Sequence, residues 1–201
     1  VYKVVAIVDN CASDTASTLV TVKPTPATPA PTNNGPVCQA DTLRLNTATI
    51  AGADYKWTGP DGFMSVEQNP IIEFMTTPKA GDYKVKVTVD GCESAEGTTT
   101  VVVKSKPSTP TASNDGPKCI GEDITLSTPN VPGAMYSWRG LATSFTSTLQ
   151  TPVLENVTPL NDGEYWVKVI INGCESDEAQ TNVVVKPKPA TPVANNDGPK
   201  C

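Results

Sequence analysis

The sequence contains no histidine among its 201 residues, and aromatic residues make up only 5% of it. Without an imidazole there is no histidine metal ligand, no Ser-His-Asp triad and no Cys-His pair. The charged residues are 15 Lys+Arg against 21 Asp+Glu, and the arginines are only Arg44 and Arg139. A net charge of -6 without a basic stripe argues against nucleic acid as a partner. No apolar run approaches the ~18 residues of a membrane span, so membrane insertion is not expected.

Two cysteine positions recur along the chain at intervals of 81 and 82 residues: Cys11, Cys92, Cys174 and Cys38, Cys119, Cys201. The sequence between them recurs too. NNGPVC returns twice as NDGPKC, GADYKW returns as GAMYSW, and GDYKVKVTVDGCES returns as GEYWVKVIINGCES. Self-similarity at a fixed period indicates a tandem array of one structural unit.

The period divides the chain into two whole repeats, residues 24–104 and 105–186, with a shorter piece on each side. Residues 1–23 correspond to the last two strands, F and G, of a preceding repeat. Residues 187–201 correspond to the start of a following repeat. We therefore expect a portion of a longer array, whose ends could carry a leader peptide, an anchor or a further domain.

Each repeat is predicted to consist of short β-strands. DTLRLNT and DITLST alternate apolar and polar residues, as half-buried strands do. YKVKVTV and YWVKVII alternate likewise and are rich in β-branched residues. Asp90-Gly91 and Asn172-Gly173 follow them and suit the positive-φ positions of a tight hairpin. About seven such strands per repeat, without a helical apolar period, predict an all-β protein built of tandem β-sandwiches.

The segments between repeats are rich in proline: KPTPATPAP, KSKPSTPTA and KPKPATPVA. Proline at every second or third position stiffens the backbone and removes hydrogen-bond donors. These short linkers are expected to join the sandwiches into a semi-rigid string.

Two aromatic positions resemble those of immunoglobulin-like and PKD-like sandwiches. Trp57 and Trp138 stand where such folds place the buried tryptophan of strand C. Tyr83 and Tyr165, preceded by Gly-Asp and Gly-Glu, resemble the tyrosine corner that opens strand F. The resemblance implies that these four residues belong to the structural core.

The chain departs from antibody domains at the cross-sheet disulfide. In antibodies a cysteine stands two residues after the corner tyrosine, but Val85 and Val167 occupy that position here. Leu45 and Leu126 stand in place of the strand-B cysteine. The resemblance therefore implies apolar packing between the two sheets instead of a disulfide.

The repeat pattern as a whole, from GP-x-C through Y-x-W and G-x-Y to GCES and V-x-P-x-P, resembles the tandem repeats of very large cell-surface proteins of Bacteroidota. The SprB-like gliding-motility adhesins of flavobacteria are of this kind. The resemblance covers the entire chain. It implies export by the type IX system and display outside the outer membrane. The implied partners are an extracellular surface or polysaccharide, the outer-membrane motility and secretion machinery, and neighbouring repeats of the same chain.

The six cysteines are interpreted as disulfide-forming residues. Zinc sites use C-x2-C pairs or histidines, and a catalytic thiol needs a base; the sequence offers neither. Disulfides suit an extracellular protein. Three connectivities remain open: pairs within a repeat (Cys38–Cys92, Cys119–Cys174), pairs 27 residues apart (Cys11–Cys38, Cys92–Cys119, Cys174–Cys201), and a bond across the joint between repeats (Cys38–Cys174).

The sandwich template favours the bond across the joint. On this template Cys38 lies near the A-to-B turn and Cys92 lies just past the F-to-G turn, towards opposite ends of one domain. A disulfide needs Cα atoms within ~7 Å, which such a separation does not allow. Cys174 lies at the F-to-G turn of the next repeat, which faces the same linker as Cys38. Cys92 and Cys119 would then pair in the same way with repeats beyond this sequence.

Few other residues point to chemistry. The NNG run at Asn33 and the NDG runs at Asn114, Asn161 and Asn196 could ligate calcium, but turn formation explains them more simply, and no cofactor is expected. Trp166 points outward beside Tyr165, so it is a candidate contact for a sugar or a partner, or it packs on a neighbouring strand. Thr15 and Thr42 match the Bacteroidota O-glycosylation pattern of Asp, then Ser or Thr, then an aliphatic residue.

These features predict a non-enzymatic stalk or adhesive region of a large cell-surface adhesin, acting in attachment and gliding motility and transmitting force along a disulfide-stabilised filament. The alternative is a spacer or carbohydrate-targeting module of a secreted multidomain enzyme. A third hypothesis gives each repeat its own ligand, which binding of a two-repeat fragment to a glycan array would support. Scattered, repeated carboxylates such as Glu93 and Glu175 do not resemble a catalytic pair.

Overall fold

The computed structural model describes residues 1–141, 144–196 and 198, and Cys201 lies outside them. Every regular element among these residues is a β-strand or a single 3-10 turn. The chain divides into two compact units, Val1–Val103 and Lys104–Cys201. The prediction of an all-β protein of tandem Ig-like sandwiches is confirmed.

The N-terminal residues form four short strands: β1 (Tyr2–Val4), β2 (Ile7–Val8), β3 (Cys11–Ala12) and β4 (Ala16–Thr18). Strand β1 pairs with β4, and β2 pairs with β3, both antiparallel. All of their residues are exposed. Pairing of the outer strands around a short hairpin is the same arrangement that the following repeat shows in its last strands.

The first sandwich, hereafter repeat 1, contains ten strands. They are β5 (Thr32–Asn33), β6 (Val37–Cys38), β7 (Leu43–Asn46), β8 (Ala53–Thr58), β9 (Met64–Ser65), β10 (Ile71–Ile72), β11 (Gly81–Val89), β12 (Cys92–Glu93), β13 (Gly97–Val101) and β14 (Val103–Lys104). One sheet has the order β10-β7-β5. The other has the order β9-β8-β11, and β11 pairs further with both β12 and β13. The 3-10 turns are Pro60–Gly62 and Thr77–Lys79.

The second unit contains a sandwich of the same design, hereafter repeat 2. Its strands are β15 (Ser113–Asn114), β16 (Lys118–Cys119), β17 (Ile124–Ser127), β18 (Met135–Gly140), β19 (Phe145–Ser147), β20 (Val153–Leu154), β21 (Gly163–Ile171), β22 (Cys174–Glu175), β23 (Ala179–Val183) and β24 (Val185–Lys186). The sheets have the orders β15-β17-β20 and β19-β18-β21, with β22 and β23 both paired to β21. Strand β16 pairs parallel to β24. A 3-10 turn spans Pro159–Asn161.

Each core forms where the inward residues of the two sheets meet. In β11 every second residue from Tyr83 to Val87 is buried, and in β21 every second residue from Tyr165 to Val169 is buried, as a two-residue side-chain period requires. Val85 and Val167 are 0% exposed, and Leu45 and Leu126 are 1% and 0% exposed. Four aliphatic side chains therefore fill the places where antibody domains carry their cysteines. At roughly 1.5–3 kcal/mol for each buried aliphatic residue, such packing substitutes for a covalent link.

No described helix is long and apolar enough to cross a membrane.

Candidate functional site

Trp57 and Trp138 lie at the centre of the two cores, with exposed fractions of 0% and 1%. They stand on the central strands β8 and β18, directly opposite Val85 and Val167. The indole nitrogen of Trp57 donates a hydrogen bond to the Gln68 carbonyl at 3.3 Å. Buried aromatic side chains of this size contribute a large share of the apolar area that a small sandwich can bury.

Tyr83 and Tyr165 each make the hydrogen bond of a tyrosine corner, from the side-chain hydroxyl to a backbone carbonyl four residues earlier in the chain. The hydroxyl of Tyr83 donates to the Lys79 carbonyl at 2.9 Å, and that of Tyr165 donates to the Asn161 carbonyl at 3.1 Å. Burial raises the pKa of Tyr83, and the charge of Asp61 raises it further. The phenol therefore remains protonated and keeps donating, which is a structural role and not that of an acid or a base.

A glycine makes room for each tyrosine ring: Gly59 directly follows β8, and Gly140 is the last residue of β18. A Cβ atom at Gly59 would lie 2.5 Å from the ring of Tyr83, and one at Gly140 would lie 2.6 Å from the ring of Tyr165. Carbon atoms do not approach so closely, so only glycine fits there. Both glycines belong to a W-x-G sequence that recurs in the two repeats. The packing against the tyrosine rings explains why the glycine recurs.

The cysteines occupy two structural positions. Cys38 and Cys119 end the short strands β6 and β16, and Cys11, Cys92 and Cys174 directly follow hairpin turns. Among the described cysteines Cys11, Cys92 and Cys119 are free. Cys38 and Cys174 are each disulfide-bonded. Connectivities that need a bonded Cys11, Cys92 or Cys119 within this chain are therefore not present.

The hairpin before Cys92 and Cys174 has the geometry that the sequence predicts. Asp90 and Gly91 have φ of 52° and 82°, and Asn172 and Gly173 have φ of 53° and 84°. Two consecutive positive φ values are the requirement of a type I′ turn, whose twist matches the flanking strands. The turn sets Val89 opposite Cys92 and so fixes the place of the cysteine.

A lysine of the preceding linker binds each of these hairpins. Lys23 Nζ donates to the Asp90 carbonyl and Lys104 Nζ donates to the Asn172 carbonyl, both at 2.8 Å. Sequence reasoning missed this contact. The available signal was the lysine that opens each proline-rich linker with the period of the repeat.

In repeat 2 the linker contributes a second contact. Lys106 Nζ lies 2.6 Å from a carboxylate oxygen of Asp177, three residues after Cys174. The linker that precedes this repeat is thus held along the hairpin by two lysines. Charged contacts at the surface contribute little free energy each, but they restrict how the linker runs.

The asparagines of the NNG and NDG runs hold turns together. Asn33 Nδ2 donates to Thr99 Oγ1 at 2.7 Å, and its Oδ1 accepts the Gly35 N–H at 2.7 Å. Asn114 makes the equivalent bonds to Thr181 and Gly116. No group of three or more His, Cys, Asp or Glu that could hold a metal ion is found in the described part of the chain.

The solvent-facing side of the larger sheet carries ion pairs. In repeat 1, Lys84 lies 2.9 Å from Glu96, and Lys86 lies 2.9 Å from Glu93. The hydrogen bonds from these lysines to the glutamates raise the pKa values of both lysines. In repeat 2, Lys168 pairs with Glu175 at 2.6 Å.

On the solvent-facing side of the larger sheet in repeat 2, Trp166 stands in the place of Lys84. The positive charge is carried instead by a residue of the neighbouring strand β18. Arg139 replaces Thr58, and its Nε and an Nη donate to the two Glu178 oxygens at 2.7 and 2.6 Å. The guanidinium carbon lies 4.2 Å from the Trp166 ring centroid. The hydrogen bonds from Arg139 lower the pKa of Glu178. Trp166 is half-buried, and it packs against the side chain of Arg139.

The two threonines of the glycosylation pattern lie in different environments. Thr15 is exposed directly before β4. Thr42 is half-buried just before β7, and its carbonyl accepts a hydrogen bond from Asn34. Glycan attachment at either residue stays a prediction.

Part of the chain matches a known family model. Residues 107–187 match the model described as Ig-like domain CHU_C associated. This range is repeat 2 with the linker before it. The match shows that repeat 2 is similar to this Ig-like domain, in agreement with its β-sandwich fold.

Several solved structures are similar to the chain at low sequence identity. Murine CEACAM1b is 12% identical, with a TM-score of 0.37, over 78% of this chain and 100% of its own. The titin I-band fragment I67-I69 is 16% identical, with a TM-score of 0.32, over 79% of this chain and 66% of its own. Three N-terminal domains of the bacteriophage RB49 outer capsid protein Hoc are 19% identical, with a TM-score of 0.38, over 79% of this chain and 59% of theirs. No curated protein matches the chain.

Proposed function

We propose that the chain is a load-bearing stalk or adhesive region of a cell-surface protein, in which each joint between repeats is closed by a disulfide. The observation that carries the proposal is the repeated lysine contact at the F-to-G hairpin, made by Lys23 and again by Lys104. A joint that is built twice in the same way is what a stiffened array needs.

The state of the cysteines supports a pairing of Cys38 with Cys174. Both are bonded, while Cys11, Cys92 and Cys119 are free. Cys201 alone cannot pair with both of them.

The arrangement of the strands supports the same pair. In repeat 2, Cys119 lies opposite Lys186 in the parallel pair of β16 and β24. The residues at the same repeat positions one period earlier are Cys38 and Lys104. Lys104 reaches the carbonyl of Asn172, two residues before Cys174.

In more detail, we propose that the protein acts in attachment at the cell surface and in gliding motility. Under this proposal, this region is exported by the type IX system and lies outside the outer membrane. The motility machinery moves it while it contacts a surface or polysaccharide. The Ig-like match and the repeat pattern support a surface role of this kind. Cysteines in disulfides fit an oxidising extracellular setting.

Peptide mapping of the full chain under non-reducing conditions, after alkylation of the free thiols, tests the joint. We expect one peptide pair, containing Cys38 and Cys174, that disappears on reduction. Cys38→Ser should abolish this pair and expose the thiol of Cys174. Cys119→Ser, at the same position of the other repeat, should leave it intact. A link between Cys38 and Cys92 would contradict the proposal.

The alternative of a carbohydrate-targeting module can be tested separately. Binding of the purified chain to a glycan array, lost on replacement of Trp166, would favour a targeting module over a stalk. We expect no such binding, because Arg139 covers the Trp166 ring.

A further inference from the structure

The solvent-facing side of the smaller sheet of repeat 1 contains a hollow of about 430 Å³, hereafter the Arg44 hollow. Strand β7 buries Leu43 and Leu45 in the core and exposes Arg44 and Asn46 on the outer side. The volume lies within the ~300–1,000 Å³ that small-ligand sites occupy. The residues that line the hollow include Thr32, Asn34, Arg44, Asn46, Asn69 and Ile71.

The strand pairing brings these residues together in two rows. Arg44 lies opposite Ile71, and Asn46 lies opposite Thr32. Asn69 stands just before β10, and its Oδ1 accepts the backbone N–H of the residue that follows β7 at 2.9 Å. The Asn69 Nδ2, the Asn46 amide and the Thr32 hydroxyl make no hydrogen bond to another residue that the structure describes. These groups are therefore available to a ligand.

Arg44 supplies the charge of the hollow. Its guanidinium makes no hydrogen bond or ion pair within the described part of the chain. The other arginine of the sequence, Arg139, is instead held by both carboxylate oxygens of Glu178. All other residues that line the hollow are uncharged, and Glu73, just after β10, is not among them. The Arg44 hollow therefore attracts anions, although the net charge of the chain is -6.

Repeat 2 shows that the sandwich does not need these polar side chains. Thr125 and Ser127 stand in the places of Arg44 and Asn46. Strand β17, which carries them, has the same alternation of buried residues as β7. The fold therefore gives no reason for an arginine and an asparagine at these exposed positions of repeat 1. Such residues point to a binding site that is added to a common fold.

A further difference removes an acid from beside Arg44. In repeat 2 the Asp115 carboxylate accepts the Thr125 N–H at 2.8 Å. In repeat 1 the Asn34 amide oxygen accepts the Arg44 N–H at the same distance. The backbone contact is kept, but a neutral amide stands where a carboxylate would attract the guanidinium. Arg44 thus stays open to an external anion.

The chemistry of the lining selects the class of ligand. A guanidinium binds the two oxygens of a carboxylate or sulfate group side by side. Amide and hydroxyl groups suit sugar hydroxyls, which both donate and accept hydrogen bonds. Ile71 is 52% exposed and offers apolar surface to the C–H side of a sugar ring. A protein partner would need a larger apolar centre than one isoleucine supplies.

We propose that the Arg44 hollow binds one unit of an acidic polysaccharide, a sugar that carries a carboxylate or a sulfate group. Arg44 binds this oxyanion through two parallel hydrogen bonds, and Asn46 and Asn69 bind sugar hydroxyls. The site rests on the proposed adhesive function and deepens it, because it names the kind of surface that the chain contacts. One open site binds weakly, and linked copies raise the overall affinity.

An NMR titration of the full, oxidised chain tests the site. The probes are a galacturonate, a sulfated galactan and a neutral galactan oligosaccharide of equal length. We expect amide shifts in β5, β7 and β10 with at least one acidic probe, at a dissociation constant on the order of 1 mM. Binding should weaken as the salt concentration rises. The acidic probe that binds tells whether the site recognises carboxylate or sulfate.

Variants of the lining residues assign the binding to the hollow. Arg44→Thr, which installs the residue of repeat 2, should weaken the binding at least about tenfold. Asn46→Ser should weaken it roughly two- to tenfold. Arg44→Lys keeps the charge but loses the paired geometry, so its affinity should lie between those of Arg44→Thr and the parent. Urea midpoints close to that of the parent would confirm that the variants are folded.

Two variants outside the hollow serve as controls. Arg139→Gln removes the same charge from the larger sheet of repeat 2 and should leave the affinity unchanged. Trp166→Lys should also bind like the parent, which separates this site from a targeting module centred on that tryptophan. A polyglutamate peptide is the control probe without sugar and should bind more weakly than the acidic oligosaccharide.

The proposal is overturned if neither acidic probe binds, if the neutral probe binds as tightly, or if Arg44→Thr binds like the parent. Equally tight binding of polyglutamate would also overturn it, because the site would then recognise charge alone. Peptide mapping of Cys38 and Cys174 has a separate readout, so a failure of this site and a failure of the disulfide joint are distinguishable.

Discussion

The corner tyrosines each make one hydrogen bond that can be removed without changing the shape of the core. Tyr83→Phe deletes the bond to the Lys79 carbonyl and keeps the ring against Phe63, whose centroid lies 5.4 Å away. We expect the free energy of unfolding of repeat 1 to fall by about 1 kcal/mol, the usual net value of one such bond. Urea unfolding followed by tryptophan fluorescence measures it.

Tyr2→Phe serves as the matched control, because the Tyr2 side chain is 68% exposed and its hydroxyl can bond to water. It should leave the urea midpoint unchanged. An unaltered midpoint for Tyr83→Phe as well would mean that the corner bond contributes nothing.

Asp115 makes repeat 2 sensitive to acid. Its carboxylate accepts the Thr125 N–H at 2.8 Å, and this bond, with a smaller contribution from Lys118, lowers its pKa. A lowered folded-state pKa means that the stabilisation is present above about pH 4, the unfolded value, and is lost as the pH falls through the folded value. Asn34, its counterpart in repeat 1, accepts the Arg44 N–H at 2.8 Å without a titratable group.

Asp115→Asn should therefore remove part of the acid sensitivity. At neutral pH we expect a stability loss of no more than about 1 kcal/mol, from the missing ionic contacts. Below about pH 4 the variant should equal or exceed the parent chain. Urea unfolding at a series of pH values measures the difference. Asn34→Asp, the reverse change, should make repeat 1 more acid-sensitive, and equal pH profiles for all three chains would refute the argument.

At the scale of elements, the hairpin turns are the parts most tightly set by local sequence. Gly91 has φ of 82°, where a Cβ atom is disfavoured. Gly91→Ala should lower the free energy of unfolding by roughly 1–2 kcal/mol and loosen the β11–β12 hairpin. Hydrogen exchange of the hairpin amides, together with urea unfolding, measures both effects.

Asp90→Asn is the control for that change, because Asn172 already occupies the equivalent position of repeat 2 with the same backbone conformation. Its stability should match that of the parent. If Gly91→Ala is as stable as the parent, the positive φ is not a constraint.

Other elements were less predictable. The alternation in YKVKVTV and YWVKVII predicts the long strands β11 and β21, and both are present. The two-residue strands β6 and β16 carry no periodic signal. Strand β16 forms through a parallel pairing with a segment almost seventy residues later, and local sequence does not encode such a distant partner.

At the scale of the whole molecule, the proposed joint changes how the chain responds to force. A Cys38–Cys174 bond would carry tension directly from one repeat into the next and shield residues 39–173. Pulling between the termini in optical tweezers should then give an extension shorter by roughly 45–50 nm than after reduction, at ~3.3–3.6 Å per residue. Cys38→Ser should extend like the reduced chain without any reductant.

Cys92→Ser and Cys119→Ser are the controls for the pulling experiment, because these cysteines are free. Both variants should keep the short extension of the oxidised chain. Equal extensions for oxidised and reduced parent chains would exclude a load-bearing bond across the joint.

The sequence by itself determined the repeat, the long strands and the turns. Each of these depends on local pattern: the cysteine period, the alternation around Tyr83 and Tyr165, and the Asp-Gly and Asn-Gly pairs whose backbone preferences act over two residues. The resemblance of Trp57 and Trp138 to sandwich tryptophans added the fold class. None of these features requires knowledge of which distant residues meet.

Only the tertiary structure decided which distant side chains meet. It revealed that Lys23 and Lys104 bind the hairpin carbonyls, and that Arg139 lies over Trp166 where Lys84 is replaced. Such contacts join residues far apart in sequence, and they depend on strand register and on the direction of each side chain. A linear pattern does not contain that information, because register is fixed by the packing of the whole sandwich.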